Sequence, residues 1–275
     1  MPLRRTPLAL SLLAFGGLAF SGAPCATAQQ VAEAPGPLVL IGGRHQDLSK
    51  DLREVFFDLA GGKKAKIVVI PTATAVDDPA KMDEHLTEWR GLKPMSVHIL
   101  HTRDRKKADD PAFVKPLAEA TGVFITNGHP DRIFNAYRGT LVERELKKLH
   151  ARGGLIGGTG TGMNVLGDFV LWHKPPGFEP ALGVLAGFLP CDPRSDEIEE
   201  AIAANPSQVG LGIGPGTAVV IRGKDMRVVG KGTVKTFLAK GANQEVKVDS
   251  FKSGDRLDVV ELRRAAEKRA GKELK

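Results

Sequence analysis

Short, wholly apolar runs recur along the chain and alternate with longer segments in which apolar residues return every three or four positions. Such runs are typical of strands buried on both faces, and the longer segments are typical of amphipathic helices. The predicted strands are Leu38–Ile41, Ile67–Ile70, Val97–Leu100, Val123–Thr126 and Leu155–Ile156. The predicted helices are 48–59 behind an Asp47 cap, Pro79–Trp89, Pro111–Ala120 and Leu141–Arg152. This alternation predicts an α/β fold, a three-layer doubly wound and mostly parallel sheet.

The residue pattern of the chain changes beyond Leu182, where glycines are frequent and apolar segments are short. One more helix is predicted at Asp196–Ala204. A hairpin follows, with strands Ala218–Arg222 and Arg227–Gly230 around the turn Gly223-Lys224-Asp225. We expect these segments to complete the sheet, so that a single α/β domain spans residues 38–258.

The first 28 residues have the features of a secretory signal peptide. Arg4 and Arg5 precede the apolar run Leu8–Phe20, and small residues at 26–28 predict cleavage after Ala28. An uncleaved membrane anchor is the alternative, but this run is shorter than the roughly 20 residues that a spanning helix needs. We therefore expect export to the periplasm or the extracellular space, a mature form that does not span the membrane, and a linker at 29–37.

The charge balance argues against a nucleic-acid partner. Removal of residues 1–28 takes away two arginines and no acidic residue, which leaves 37 basic and 32 acidic residues. Much of the surplus lies in the C-terminal segment 259–275, which is interpreted as a solvated, basic helical tail. The charged run Arg103–Asp110 is interpreted as a solvated loop, and no basic stripe interleaved with aromatic residues is present.

Ligands of doubly wound sheets bind beyond the carboxyl ends of the strands, so the residues that follow each predicted strand are the candidate site. The candidates for ligand binding are Gly42, Gly43, Asn127, Gly128, His129, Thr159, Gly160 and Thr161. Three histidines, His45, His101 and His129, fall at the same edge and could supply a base or a three-histidine metal site. Their spacing is weak evidence for a metal, and neither a metal nor a cofactor is expected.

The segment Gly154–Gly162 outlines a strand that runs into a tight turn before a helix. Turns of this kind display a nucleophile in many hydrolases, because small neighbours let the chain turn sharply. Here the position of the nucleophile is Gly160. The glycine-rich turn could instead bind an anion through its backbone N–H groups. It lacks the Lys of a P-loop, which argues against nucleotide hydrolysis.

Four segments in the same order resemble the cyanophycinase and dipeptidase E family of serine peptidases, which has the class I glutamine amidotransferase-like fold. Ile67–Ala73 is similar to the family's Ile-Pro-Thr-Ala strand, and Ile125–Ile133 to its Gly-Gly-Asp-Gln-x-Arg-Ile segment. Gly157–Gly162 follows its Gly-Gly-Thr-Ser-Ala-Gly elbow, and a block from Asn205 to Ala218 echoes a further family segment. The resemblance covers most of the mature chain.

The resemblance places the family's catalytic positions on residues of a different kind. The family's Ser falls on Gly160 and its Asp-Gln on His129-Pro130. Its His lies in an Asp-Gln-His context, whereas this chain has Asp192-Pro193-Arg194 and no histidine after His173. We therefore expect an exported, catalytically degenerate homologue that binds at most a peptide or a small anion.

Two alternatives remain open at this point. One is an active hydrolase that uses Thr161 or Thr159 as nucleophile with His129 or His173 as base, or a histidine-bound metal at the same edge. The other is a structural or partner-binding role in the cell envelope, for which the basic C-terminal tail is the feature in the sequence. The sequence makes no prediction about the oligomeric state.

Overall fold

The computed structural model describes residues 34–44, 48–173, 176–192, 197–242 and 244–272, and gives the backbone alone at 79, 80, 84, 172, 173 and 176–180. The predicted signal peptide, most of the linker and Asp47 fall outside the described residues. The elements of the first half are β1 Leu38–Ile41, α1 Lys50–Leu59, β2 Lys66–Ile70, α2 Pro79–Met82, α3 Glu84–Gly91, β3 Ser96–Ile99, α4 Arg105–Ala108, α5 Pro111–Glu119, β4 Gly122–Ile125, α6 Pro130–Tyr137, α7 Leu141–Ala151, β5 Leu155–Thr159 and α8 Thr161–Asn164.

The second half is richer in strands. Its elements are β6 Phe169–His173, β7 Pro176–Pro180, β8 Phe188–Cys191, α9 Glu197–Ala204, β9 Val209–Ile213, β10 Thr217–Arg222, β11 Asp225–Gly230, β12 Thr233–Leu238, β13 Lys247–Lys252, β14 Arg256–Asp258 and α10 Val259–Arg269. Within the described residues, no helix has the length and apolar content needed to cross a bilayer.

The main sheet has eight strands in the order β14-β11-β10-β1-β5-β4-β2-β3. The five strands β1 to β5 run parallel to one another. The predicted hairpin β10–β11 joins the sheet antiparallel beside β1, and β14 pairs with β11. The prediction of a mostly parallel, doubly wound sheet is confirmed.

Alternate residues of each strand point into two different cores, because successive side chains of a strand face opposite sides of the sheet. Val39, Ile67 and Phe124 pack with residues of α1 and α3 on one face. Leu40, Val68 and Val123 are among the residues that pack with α5, α6 and α7 on the other face. The predicted three-layer arrangement follows from this burial of both faces.

Two local predictions in the first half were wrong. Helix α1 begins at Lys50 and is capped by Ser49, whose hydroxyl accepts a hydrogen bond from the Leu52 N–H, rather than by Asp47. The charged run Arg103–Asp110 contains the short helix α4, capped by Asp104 and with Ala108 fully buried. The charge of this segment predicted a loop, but the Asp104 cap and the burial of Ala108 stabilise a short helix.

Two larger features were not predicted. Helix α6 begins at Pro130, a residue suited to the first turn because its missing N–H has no partner there in any helix. Strands β13, β12, β9 and β8 form a second, four-stranded sheet, and β6 pairs with β7 in a hairpin. The second half therefore completes the main sheet only in part.

The C-terminal segment is helical, as expected, but it is not simply solvated. Asp258 caps α10 by accepting hydrogen bonds from the N–H groups of Val260 and Glu261. Val259 and Ala266 are buried in the core that also contains α7. The helix therefore belongs to the folded unit through residue 269.

An aromatic cluster fixes α1 and α3 against the centre of the sheet. The ring centroids of Phe56 and Trp89 lie 5.1 Å apart and those of Phe56 and Phe124 lie 5.4 Å apart, both in edge-to-face geometry. A Cβ atom added at Gly157 of β5 would come within 2.9 Å of the Phe56 ring. The absence of a side chain at residue 157 is thus what admits this ring.

The single tyrosine of the chain, at the end of α6, joins the loops after β2 and β3 at the edge where the parallel strands end. The Tyr137 hydroxyl is hydrogen-bonded to Thr72 Oγ1 at 2.6 Å and accepts a 3.3 Å hydrogen bond from the Thr102 N–H. It also lies 3.3 Å from the Leu100 carbonyl oxygen. Burial raises the pKa of Tyr137 to about 12, and the hydrogen bonds from its neighbours oppose this only in part.

Truncation of the aromatic cluster should be costly. For Phe56→Ala we expect a loss of about 3–5 kcal/mol of unfolding free energy, because a fully buried ring leaves a cavity between helix and sheet. The adjacent Phe57 is only partly buried, so Phe57→Ala is the matched control and should cost clearly less. Urea denaturation of the two variants measures the difference, and equal losses would contradict this account.

Ionisation of the single tyrosine can be followed directly by absorbance at 295 nm. Because the folded pKa of Tyr137, about 12, lies above the unfolded value near 10, the buried phenol adds stability that is fully present below the unfolded pKa. That stability is lost as the pH rises through the folded value. We expect no phenolate near pH 10 while circular dichroism remains native; a midpoint there in folded protein would refute the burial argument.

Candidate functional site

The turn between β5 and α8 has the backbone of a nucleophile elbow. Gly160, which lies between these two elements, has φ 52° and ψ −120°. A positive φ strains any residue with a side chain, and such strain is characteristic of the position that carries the nucleophile in hydrolase elbows. The elbow conformation is therefore present, and the residue that occupies it has no reactive atom.

The carboxamide of Asn127 occupies the space that a side chain at residue 160 would need. A Cβ atom added at Gly160 would lie 2.2 Å from Asn127 Oδ1 and 2.6 Å from its Cγ. The same Oδ1 accepts a 2.9 Å hydrogen bond from the Thr161 N–H. In an elbow of this type the N–H after the nucleophile is a donor of the oxyanion hole. Here that donor is engaged by a residue of the protein itself.

The two threonines beside Gly160 both donate their hydroxyl hydrogen to backbone carbonyls. Thr159 is fully buried and donates to the Gly43 oxygen at 3.1 Å. Thr161 is nearly buried and donates to the Gly128 oxygen. Each hydroxyl has a single proton, so neither can give it to a base while these hydrogen bonds persist.

The histidines are not brought to these threonines among the described residues. His129 is exposed, its backbone N–H donates to the Ala73 oxygen at 2.8 Å, and its carbonyl oxygen accepts a hydrogen bond from the Arg132 N–H at 3.2 Å. The side chain of His173 and the whole of His45 lie outside the description. The predicted pairing of Thr159 or Thr161 with His129 therefore has no hydrogen bond in the described structure.

His101 lies at the end of β3 and uses both ring nitrogens within the protein. Its Nδ1 is 2.9 Å from Thr72 Oγ1, and its Nε2 is 2.7 Å from Asp77 Oδ1. With a side chain 8% exposed, it is a structural link between two loops rather than an available ligand. Among the described His, Cys, Asp and Glu side chains, no group of three is placed to hold a metal ion.

The eight predicted ligand-binding residues lie close together at the ends of β1, β4 and β5. Thr159 is hydrogen-bonded to Gly43, and Thr161 is hydrogen-bonded to both Asn127 and Gly128. A Cβ atom added at Gly160 would meet atoms of both Asn127 and Gly43. Gly42, His129 and Gly160 are their chain neighbours, and the Gly42 N–H donates to the Thr217 oxygen at 2.9 Å. Solvent reaches this group, because Gly43, Asn127 and Gly160 are half-buried.

Sequence analysis missed three polar residues around this group. Thr126 is 1% exposed, and within the described residues its hydroxyl has no hydrogen-bond partner. Asp131 has one buried carboxylate oxygen without a partner in the same part of the chain, and Arg132 donates to the Ala73 oxygen at 3.0 Å. Pro130, which marks the start of α6, is the feature of the sequence that could have predicted the positions of Asp131 and Arg132.

Comparison with known proteins connects this geometry to a family. Residues 38–179 match Peptidase family S51. The cyanophycinase of Geminocystis herdmanii is 26% identical over 215 residues, which cover 72% of this chain and 78% of that protein. The cyanophycinase of a Nostoc species is 27% identical over 216 residues, 72% of each chain.

Two solved structures have a similar fold. The crystal structure of a peptidase from an acI-B1 Actinobacterium matches with a TM-score of 0.67 and 20% identity, covering 82% of this chain and 98% of that one. The crystal structure of a putative peptidase E protein from Listeria monocytogenes EGD-e matches with a TM-score of 0.53 and 17% identity, covering 72% and 100%. The fold agrees with the class I glutamine amidotransferase-like arrangement expected from the resemblance. Since the family match spans more than half of the chain, this protein belongs to peptidase family S51, the family of cyanophycinase and dipeptidase E.

Proposed function

We propose that this chain is an exported member of peptidase family S51 that has lost peptidase catalysis and binds a peptide or a small anion at the elbow edge. The observation that carries the proposal is the Asn127 carboxamide in the space beside Gly160, hydrogen-bonded to the Thr161 N–H. Acyl transfer needs an attacking atom and a free oxyanion donor: Gly160 lacks the first, and the hydrogen bond to Asn127 occupies the second.

The energetic loss from these two changes is large. Removal of the nucleophile from a serine hydrolase costs roughly a million-fold in rate, and removal of one oxyanion donor costs roughly 100- to 1,000-fold. Such effects are not additive, and the loss of the nucleophile is by far the larger of the two. The hydrogen bonds of Thr159 and Thr161 to backbone carbonyls argue against a replacement nucleophile in the same turn.

The two unusual residues complement each other. In the segment that resembles Gly-Gly-Asp-Gln-x-Arg-Ile, the first glycine of the family pattern falls on Asn127. A side chain at both 127 and 160 would place atoms about 2 Å apart, which is far inside van der Waals contact. Loss of the Ser side chain at 160 therefore leaves room for Asn127, whose carboxamide fills that room.

A binding role is supported by polar groups that the fold leaves unused at this edge. The buried Thr126 hydroxyl has no partner among the described residues, and buried polar groups normally have one. His129 is exposed beside it. The exposed His129 can pair with a ligand that carries carboxylate or amide groups, whereas an apolar ligand would leave it unpaired; the Thr126 hydroxyl lies too deep for direct contact with such a ligand.

Export is the second part of the proposal and rests on the sequence alone. The charged start, the apolar run Leu8–Phe20 and the small residues at 26–28 support cleavage after Ala28 and delivery to the periplasm or beyond. The N-terminal sequence of the protein recovered outside the cytoplasm tests this part independently of any activity.

The catalytic part predicts the absence of turnover. The mature protein should release no product from a library of isoaspartyl and Asp-x dipeptides and should not be labelled by a fluorophosphonate, because no activated oxygen is present at residue 160. Calorimetry with the same dipeptides measures binding without turnover. Thr161→Val and Thr159→Val are the control variants: hydrolysis that either one abolishes would overturn the proposal in favour of an active threonine hydrolase.

The coupling of residues 127 and 160 predicts non-additive stability. Gly160→Ser should cost about 2–4 kcal/mol, because it combines a positive φ with a collision against the Asn127 carboxamide. In the double variant Asn127→Gly/Gly160→Ser the collision is gone, so the summed cost should shrink by about 1 kcal/mol or more.

The matched control for that cycle is Gly223→Ser. Gly223 has φ 58°, close to that of Gly160, and a Cβ atom there would meet nothing within 4 Å. It isolates the backbone strain, which we expect to cost about 1 kcal/mol. Urea denaturation of these three variants and of Asn127→Gly alone gives the coupling, and simple additivity would show that Asn127 does not obstruct residue 160.

A further inference from the structure

A second concave surface lies away from the elbow, between α10, the end of β12 and the connection that leads to β13. It is a groove of about 490 Å³ that shares no residue with the elbow. The described residues that line it are Leu238, Gly241, Ala242, Gln244, Lys247, Ala265, Lys268, Arg269 and Gly271. In size it matches the small end of ligand clefts in proteins.

The charged side chains among the described residues that line this groove are all cationic. Three of its described lining residues are cationic, Lys247, Lys268 and Arg269, and none is Asp or Glu. Lys247 pairs with Asp249 at 2.9 Å, but both side chains are about half exposed, so this surface pair competes weakly with a ligand. Lys268 is exposed in the last turn of α10. The groove therefore concentrates positive potential between two low-dielectric walls.

Arg269 is held in place before any ligand arrives. Its Nε donates to the Ala239 oxygen at 2.6 Å, its Nη1 to Gln244 Oε1 at 2.7 Å, and its Nη2 to the Glu245 oxygen. All three acceptors are uncharged, and a guanidinium has five N–H groups. Two donors and the full positive charge thus remain in a fixed orientation, which lowers the entropic cost of binding an anion.

The floor of the groove is apolar. Leu238 is almost fully buried, and Ala265 packs partly buried against the main core. Ala242 and two glycines add no polar side chain. A ligand that fits must therefore carry both negative groups, for the cationic rim, and a narrow apolar part, for the floor.

We propose that this groove binds an acidic peptide segment in which carboxylates alternate with apolar side chains. The carboxylates pair with Lys247, Lys268 and Arg269, and the apolar side chains rest on Leu238 and Ala265. A flat anionic membrane can meet the exposed lysines but cannot reach a concave floor, which favours a peptide over a lipid surface. The proposal is independent of catalysis at the elbow, because the two surfaces have no residue in common.

Fluorescence anisotropy with the mature protein and a labelled peptide of alternating Asp and Leu is the direct test. We expect saturable binding that weakens as salt is added, and no saturable binding of the matching Lys-Leu peptide. The double variant Lys247→Glu/Lys268→Glu should weaken binding at least about tenfold, because it reverses two charges at the rim.

The matched control is Lys252→Glu/Lys63→Glu, which changes the net charge equally at two exposed positions that do not line the groove. Lys252 lies on the same strand as Lys247 but faces the other side of the sheet, since the two are five residues apart. This control should change the dissociation constant less than about twofold, and circular dichroism should show that both variants fold.

Three outcomes would overturn the proposal. One is an equal loss of binding in both double variants, which would mean that only the net charge matters. The second is no saturable binding of the Asp-Leu peptide by the unmodified protein. The third is binding to vesicles of phosphatidylcholine and phosphatidylglycerol without binding to the peptide, which would assign the basic surface to a membrane.

Discussion

The hydrogen bond between Asn127 and Thr161 determines what the elbow of this protein can be. It brings the chain after β4 against the first residue of α8 and fills the one direction in which a reactive side chain would project. Thr159 and Thr161, on either side of Gly160, likewise donate hydrogen bonds within the protein, to the carbonyl oxygens of Gly43 and Gly128. Donors that would otherwise face a substrate are used to hold the ends of β1, β4 and β5 together.

This arrangement depends on a sheet that is buried on both faces. The strands carry apolar side chains into two cores, and Phe56 reaches the centre because β5 offers only a hydrogen atom at residue 157. The carboxyl ends of the strands are thereby fixed relative to one another. Tyr137, Thr72 and His101 extend the same fixation to the loops after β2 and β3. The described parts of the loops at the elbow edge are thus linked to one another by hydrogen bonds.

The sequence was informative where burial alone decides the structure. The five parallel strands, and the helices that alternate with them, could be predicted, because strands covered on both faces must be apolar throughout. Helix α6 was missed because its start resembles part of a loop that contains glycine and proline. The second sheet was missed because Gly210, Gly212 and Gly214 interrupt the alternation of side chains. Tertiary contacts, not local propensity, decide such segments.

The same limit applies to the site. Gly160 could be recognised as the position of the missing nucleophile, because the elbow is a local motif. The role of Asn127 could not be recognised, because it depends on how closely two separate loops approach each other. The spacing of residues within one segment carries no information about that distance. The Thr126 hydroxyl was likewise invisible in the sequence, because a threonine at the end of a strand is usually satisfied by its neighbours.

The backbone of residue 160 has one more consequence. Hydrolases keep a residue with a side chain at φ near +50° in their elbows, and they tolerate the strain for the sake of reactivity, often at the expense of thermal robustness. Gly160 has the same dihedral angles, but glycine reaches them without a steric penalty. The turn at Gly160 therefore keeps the backbone shape of such an elbow without the steric strain that a side chain would add there.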